Sequence, residues 1–373
     1  MKVVAAIDSF KGSMTSMEAG NAVKKGILAA KPDAEVVVNP LADGGEGTVD
    51  ALIEGLGAKK IPVTVTGPLG EKVSCYYGFL EETKSAVMEM ASAAGITLVT
   101  KKDPLRASTY GVGEMIADAL KRGCKNFMIG IGGSATNDGG IGMLKALGFE
   151  FFDEDGNDVG EGAAALAKIE VIQTENKNPL LSGAKFQIAC DVKNPLCGKQ
   201  GATYIFGPQK GVTEEQKEQV DEAMRHYADV TKESLDCDFA DCEGAGAAGG
   251  LGYAFLSYLA GELIPGVELI LQATGLEEKM KNADVVVTGE GRLDAQTVMG
   301  KAPVGVAALA KKYNAKVIAF AGSVAPEASV CNQAGIDAFF PIVRGVTTLE
   351  EAMKKENAME NIAATAEQVF RLL

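Results

Sequence analysis

Ala283-Asp-Val-Val-Val-Thr-Gly-Glu-Gly-Arg-Leu-Asp294, followed by Gln296-Thr297 and Gly300-Lys301-Ala-Pro303, passes abruptly from apolar to charged residues. Val285, Val286 and Val287 are β-branched and apolar at every position. Such a run suits a parallel strand covered on both faces. The glycines read as the end of that strand, and Glu290, Arg292, Asp294 and Lys301 follow directly. Pro303 stands near the first turn of the next helix, where a missing N–H does no harm. Ligands of open α/β sheets bind beyond the carboxyl ends of the strands. These charges therefore stand where a ligand is expected.

The same rhythm extends in both directions. Lys2 to Asp8 and Glu35 to Asn39 read as strands, with a helix between them opened by the capping box Thr15-x-x-Glu18. Downstream, Lys316 to Ala321 and Ala338 to Val343 are strands, a helix is expected at 302–313, and a last helix fills 348–371. Five parallel strands thus come from the two ends of the chain. Near Gly67-Pro68 the texture changes. Lys72 to Leu80 and Ser85 to Met90 read as a hairpin, so a second module with antiparallel strands begins there. Within it, Phe127 to Ile131 and Lys185 to Cys190 read as strands, 149–183 as irregular, and 213–233 as a long charged helix. The chain of 373 residues exceeds one ordinary core. The expected division is 1–66 with 263–373 as one discontinuous domain and 67–262 as an inserted α/β domain with a mixed sheet. The cleft between them is where an active site is expected.

Composition excludes several classes. The formal charge of −14 repels phosphate backbones and argues against nucleic acid as a partner. No apolar run reaches the roughly 18 residues of a membrane span, and the residues after Met1 read as a strand, not a signal peptide. The seven cysteines form no C-x-x-C pair and, with one histidine, make a poor zinc set. They read as reduced thiols of a cytoplasmic protein. The lone His226 is expected on the solvated face of the charged helix, so proton transfer falls to carboxylates or lysine.

Carboxylates recur at predicted strand ends and glycine-rich turns: Asp8, Asp43, Asp191, Glu290 and Asp294. One such residue is usually a helix cap. Five of them point to Mg²⁺ binding or to taking a proton from a hydroxyl, because hard cations choose oxygen ligands. Lys11, Arg292 and Lys301 supply positive charge for a carboxylate or phosphate. Gly130-x-Gly132-x-x-Ala135 follows a strand, as a dinucleotide fingerprint does, but the loop through Gly140 is broader and more polar than that turn needs. A phosphate on the amides of Gly132, Gly133 and Ser134 is the better reading. Any ATP use is not of the P-loop type, since Gly300-Lys301 is followed by Ala302.

Six stretches carry a resemblance: Asp8 to Ser13 (DSFKGS), Leu41 to Thr48 (LADGGEGT), Gly130 to Gly140 (GIGGSATNDGG), Asp191-Val-x-Asn-Pro-Leu196, Gly246 to Gly252 (GAAGGLG) and Thr288 to Thr297. In order and over essentially the whole chain, they closely resemble the type I glycerate kinases of bacteria. The resemblance implies a flavodoxin-like doubly wound domain interrupted by a second α/β domain. It also implies ATP-dependent phosphorylation of D-glycerate to 2-phosphoglycerate or 3-phosphoglycerate. It leaves a homo-oligomer open. Roles within that reaction are assigned by chemistry. Arg292 or Lys11 would hold the glycerate carboxylate, with Asp8, Ser9 and Glu290 also at the substrate. Asp191 or Asp294 would take the hydroxyl proton. Mg²⁺ would be held from among Asp8, Asp43, Asp191 and Glu290. Gly132, Gly133, Ser134, Thr136, Asn137 and Lys301 would hold the phosphates of ATP. The rival readings are a nicotinamide-dependent hydroxy-acid dehydrogenase and a non-catalytic sugar-acid-binding protein on the same fold.

Overall fold

Apolar, β-branched runs need partners on both faces, and the chain supplies them. This computed structural model describes residues 1–42 and 48–373. Asp43 and most of the Leu41–Thr48 motif lie outside the described residues. In chain order the strands are β1 (Lys2–Ile7), β2 (Glu35–Pro40), β3 (Lys59–Thr66), β4 (Lys72–Leu80), β5 (Ser85–Glu89), β6 (Asn126–Gly130) and β7 (Glu150–Phe152). After them come β8 (Val171–Gln173), β9 (Lys185–Ala189), β10 (Glu262–Ile264), β11 (Val285–Leu293), β12 (Lys316–Val324) and β13 (Ala338–Pro341). The residues separate into two compact units. One takes the two ends of the chain and the other takes Ala58–Gly266.

In the first unit five strands lie in the order β13-β12-β11-β1-β2, and every pair is parallel. Numbered within that sheet, the order is 2-1-3-4-5, the flavodoxin-like doubly wound arrangement. Val3, Ala5, Ile7, Val285, Val287, Ile318 and Phe320 point to one face. There they are buried with Val23 and Ile27 of the helix Ser16–Ala30 and with Ile362, Ala366 and Phe370 of the helix Lys355–Arg371. Val4, Ala6, Val286, Val317 and Ala319 point to the other face and are fully buried too. Burying a valine this way is worth roughly 1.5–3 kcal/mol over leaving it exposed. Thr15 caps the helix Ser16–Ala30 with both bonds of the expected capping box.

The central strand differs from its expected length. Gly289 and Gly291 do not end it: β11 runs on to Leu293, paired with β12 through Arg292↔Ser323 and Leu293↔Val324. A Cβ on Gly289 would lie 2.0 Å from the Phe320 carbonyl oxygen. The glycine is there for close backbone approach, not for a turn. Glu290 and Arg292 consequently share one face of a strand, two residues apart.

The second unit holds a six-stranded mixed sheet, β10-β9-β6-β5-β4-β3. Its first four strands are parallel, and β4 and β3 add an antiparallel edge. Strand β3 pairs with β4 along its whole length, from Lys59↔Phe79 to Thr66↔Lys72. Gly67-Pro68, read in the sequence as a domain boundary, is therefore a hairpin turn, closed by the Gly67 N–H on the Glu71 carbonyl at 2.6 Å. Pro62 is tolerated within β3 because that strand is an edge. The irregular stretch contains the small β7–β8 pair. An unexpected helix, Ala202–Lys210, carries Pro208 inside it.

Candidate active site

The strand order of the first sheet reverses between β1 and β11, and this is where an open α/β sheet leaves a crevice. A cavity of about 580 Å³ opens there. It is lined by Asp8, Ser9, Lys11, Glu290, Arg292, Asp294 and Lys301, so two sequence motifs almost 280 residues apart meet in one place. Asp8 directly follows β1, is buried, and accepts the Ser9 N–H on Oδ1 at 2.7 Å. Lys11 is exposed at the rim.

Glu290 is 8% exposed, and its Oε1 accepts the Thr297 hydroxyl at 2.7 Å. Lys301 Nζ straddles two carboxylates, 3.6 Å from Glu290 Oε2 and 3.8 Å from Asp294 Oδ1. Arg292 Nε lies 3.6 Å from Asp294 Oδ2, and Asp294 Oδ1 accepts the Gln296 N–H at 2.9 Å. These ion pairs are longer than charge-assisted hydrogen bonds of about 2.7–2.9 Å. The groups attract one another without closing, and a ligand's oxygens can enter between them. Burial pushes the Glu290 carboxyl above its ordinary pKa, against the pull of the Thr297 hydroxyl and of Lys301.

A second cavity, of about 400 Å³, belongs to the second unit and takes in Gly132, Gly133, Ser134, Asp191 and Lys210. Gly132 and Gly133 are exposed, and the amides of Gly132 to Ser134 donate to no acceptor among the described residues. The loop is anchored from behind by Asp138, fully buried, which accepts the Thr109 N–H and hydroxyl, both at 2.8 Å, and the amides of Gly140 and Gly142. Burial raises the Asp138 pKa while these donors oppose the shift. Gly249 packs against the same loop with φ +70°, and a Cβ there would meet the Thr136 carbonyl oxygen at 2.2 Å. Only glycine fits.

Thr136 and Asn137, assigned from sequence to phosphate binding, are fully buried. Asn137 Nδ2 donates to Thr203 Oγ1 at 3.0 Å, and the Thr136 carbonyl accepts from Lys210 Nζ at 2.7 Å. Both residues fasten the loop to the helix Ala202–Lys210. Lys301, grouped in the sequence reading with that loop, lines the first unit's cavity. Asp191 is exposed, and its Oδ1 accepts the Gly266 N–H at 2.9 Å. Of the metal set read from the sequence, Asp43 lies outside the described residues, Asp191 lines the second unit's cavity and Glu290 lines the first unit's. No group of three or more His, Cys, Asp or Glu suited to a metal occurs among the described residues. His226 is half-exposed on the charged helix Lys217–Leu235, its Nε2 2.8 Å from the Ile169 carbonyl oxygen, and lines neither cavity.

Sequence reasoning missed Lys210 and Thr297. Lys210 sits in Gly207-Pro-Gln-Lys-Gly211, which reads as a turn and hides a helix end. Thr297 could have been found, since a hydroxyl three residues after Asp294 on a glycine-rich turn is placed to bond back. Among the described residues, no helix is long and apolar enough to cross a membrane.

A charged crevice and a loop with unpaired amides are features that an α/β phosphotransferase could use. Comparison with known proteins agrees. The glycerate kinase family model matches residues 3–373. The glycerate kinase of Bacillus subtilis is 45% identical over 371 residues, covering 99% of this chain and 97% of that protein. The glycerate 2-kinase of Escherichia coli is 45% identical over 372 residues, 98% of each. A crystal structure named for glycerate kinase 2 of Salmonella typhimurium LT2 superposes with a TM-score of 0.91 at 44% identity, over 99% of this chain and 97% of that one. The chain belongs to the glycerate kinase family, and membership of a kinase family implies ATP as the phosphoryl donor.

Proposed function

We propose that the protein transfers the γ-phosphoryl group of ATP to the 2-hydroxyl of D-glycerate. The observation that carries this reading is the convergence of three cations and three carboxylates on the crevice at the β1/β11 switch point. The name of the Escherichia coli relative, a 2-kinase, favours the 2-hydroxyl over the 3-hydroxyl. Unpaired cysteines throughout favour a cytoplasmic location.

In this reading Arg292 and Lys11 hold the glycerate carboxylate. Asp294 accepts the proton of the attacking hydroxyl through Oδ2, which faces Arg292 across a loose 3.6 Å gap. Asp191 is the alternative base, although its Oδ1 is already committed to Gly266. Asp8 and Glu290 suit Mg²⁺: both are buried carboxylates, one directly after β1 and one on the neighbouring strand β11, and Mg²⁺ commonly needs only one or two protein carboxylates beside phosphate oxygens. When bound, the ion would neutralise charge on the transferring phosphoryl group. Lys301, between Glu290 and Asp294, keeps both carboxylates oriented. Phosphoryl transfer depends on positioning and charge more than on covalent help from the protein.

ATP consumption with Mg²⁺ and D-glycerate tests the reading, with L-glycerate, glycerol and no acceptor as controls. ADP release that requires D-glycerate, with a phosphorus NMR signal of 2-phosphoglycerate, is the expected result. Folded protein that releases no ADP with D-glycerate would overturn the proposal.

A further inference from the structure

One buried cation is not used in the mechanism above. Lys210 ends the helix Ala202–Lys210 and is 2% exposed. Its Nζ donates to the Thr136 carbonyl at 2.7 Å, its one hydrogen bond among the described residues. An ammonium has three donors, so two are unfilled. No carboxylate forms an ion pair with it among the described residues, and lysine is almost never fully buried without one. Lys210 also lines the cavity into which the exposed amides of Gly132 and Gly133 open. A buried cation with spare donors, beside amides with no acceptor, is a site suited to an anion entering from the cavity.

We propose that Lys210 and the amides of Gly132, Gly133 and Ser134 form one phosphate subsite, with Lys210 as the cation that pairs with a phosphate of the nucleotide. The proposal rests on the kinase reading only for the source of the phosphate. It also explains why the helix grips the loop at two points, Thr203 on Asn137 and Lys210 on Thr136. Each grip fixes the loop's backbone where the amides must hold their direction.

The site's charge state follows from its surroundings. The titratable groups facing Lys210 are Asp138 behind the loop and Asp191 and Cys190 in the cavity wall. Burial pushes the Lys210 pKa down to about 7, with Asp138 pulling the other way. A bound phosphate adds negative charge beside the amine and favours the ammonium. Binding above neutral pH therefore takes up a proton. At about pH 8 the triphosphate is itself fully ionised, so the proton must be taken up by the protein.

Calorimetry of the full-length protein with ATP and Mg²⁺ at about pH 8, in two buffers of different ionisation enthalpy, reads this directly. The expected uptake is about 0.8 proton per ATP, the difference between a mostly neutral and a charged lysine. Lys210→Met should bind ATP about 10- to 100-fold more weakly, as the loss of a charged hydrogen bond predicts. It should take up no proton and bind glycerate as before. A Lys210→Met variant that keeps its affinity for ATP would overturn the proposal, as would one that loses ATP and glycerate binding alike. If that variant does not fold, Lys210→Gln decides by the same comparison. The two readings fail separately. Loss of ATP binding alone in the variant, with no phosphorylation of glycerate by the parent, sinks the kinase reading and leaves the subsite standing, whereas turnover by the parent with ATP binding unchanged in the variant sinks the subsite.

Discussion

In the proposed reading the two cavities solve the same problem, holding an anion on a protein of net charge −14, by opposite means. In the first unit the positive charges are on long side chains, partly exposed and balanced by carboxylates 3.6 to 3.8 Å away. In the second unit the donors are backbone amides and one lysine taken almost wholly out of water. The first arrangement costs little when empty, because its charges neutralise one another. The second is held ready at a cost in desolvation, which falls on Lys210 as a lowered pKa. The proposal matches a small carboxylate to the exposed charges of the first cavity and a polyphosphate to the anchored loop of the second.

Substitutions can break this contrast. The largest effect is expected at the proposed base. Asp294→Asn should lower kcat by about 10²- to 10⁴-fold with both KM values nearly unchanged. The same loss in Asp191→Asn, with Asp294→Asn near normal, would move the base to the second unit. Next come the anion contacts. Arg292→Met should raise the KM for glycerate about 10- to 100-fold and leave that for ATP alone. Lys210→Met should do the reverse. If both substitutions raise both KM values equally, the division of labour between the cavities is wrong.

Most of the first cavity was legible in the sequence, and the reason is physical. Parallel strands buried on both faces write unbroken valine runs, so a charge at the end of such a run must be at a sheet edge where ligands sit. Asp8, Glu290, Arg292 and Asp294 all announce themselves this way. The length of β11 was not legible, because Gly289 and Gly291 look like a turn whether the backbone bends or only packs closely. The second cavity was half legible. Its glycine loop was visible, but a backbone amide has no letter of its own, and polar side chains such as Thr136 and Asn137 drew the assignment although they face inward. Lys210 gave no signal, since Gly207, Pro208 and Gly211 around it speak against the helix that carries it.

A smaller effect tests the rigidity of the second design. Gly249→Ala forces a Cβ onto the Thr136 carbonyl at φ +70°. It should cost about 1–3 kcal/mol of stability, read by urea denaturation, and should weaken ATP more than glycerate. Equal weakening of both ligands would mean that the loop serves the whole fold and not the phosphate.

The smallest effect concerns Glu290, a carboxylate of the first cavity that burial disfavours in its charged form. Glu290 is buried, and that burial raises its pKa despite the Thr297 hydroxyl and Lys301. A carboxyl whose folded pKa lies above its unfolded value contributes stability that is full in acid and is lost as pH rises through the folded pKa. At neutral pH the ionised Glu290 therefore weakens the fold. Glu290→Gln keeps the Thr297 bond, removes the buried charge, and should raise Tm slightly at neutral pH, with the gain shrinking to nothing as pH falls into the range where Glu290 itself is protonated. Turnover should fall in the same variant, because the neutral amide no longer attracts a cation. A variant less stable than its parent at neutral pH would mean that Lys301 and Thr297 repay the burial in full. The first cavity would then be as well balanced at its floor as at its rim, and the contrast with Lys210 would be sharper still.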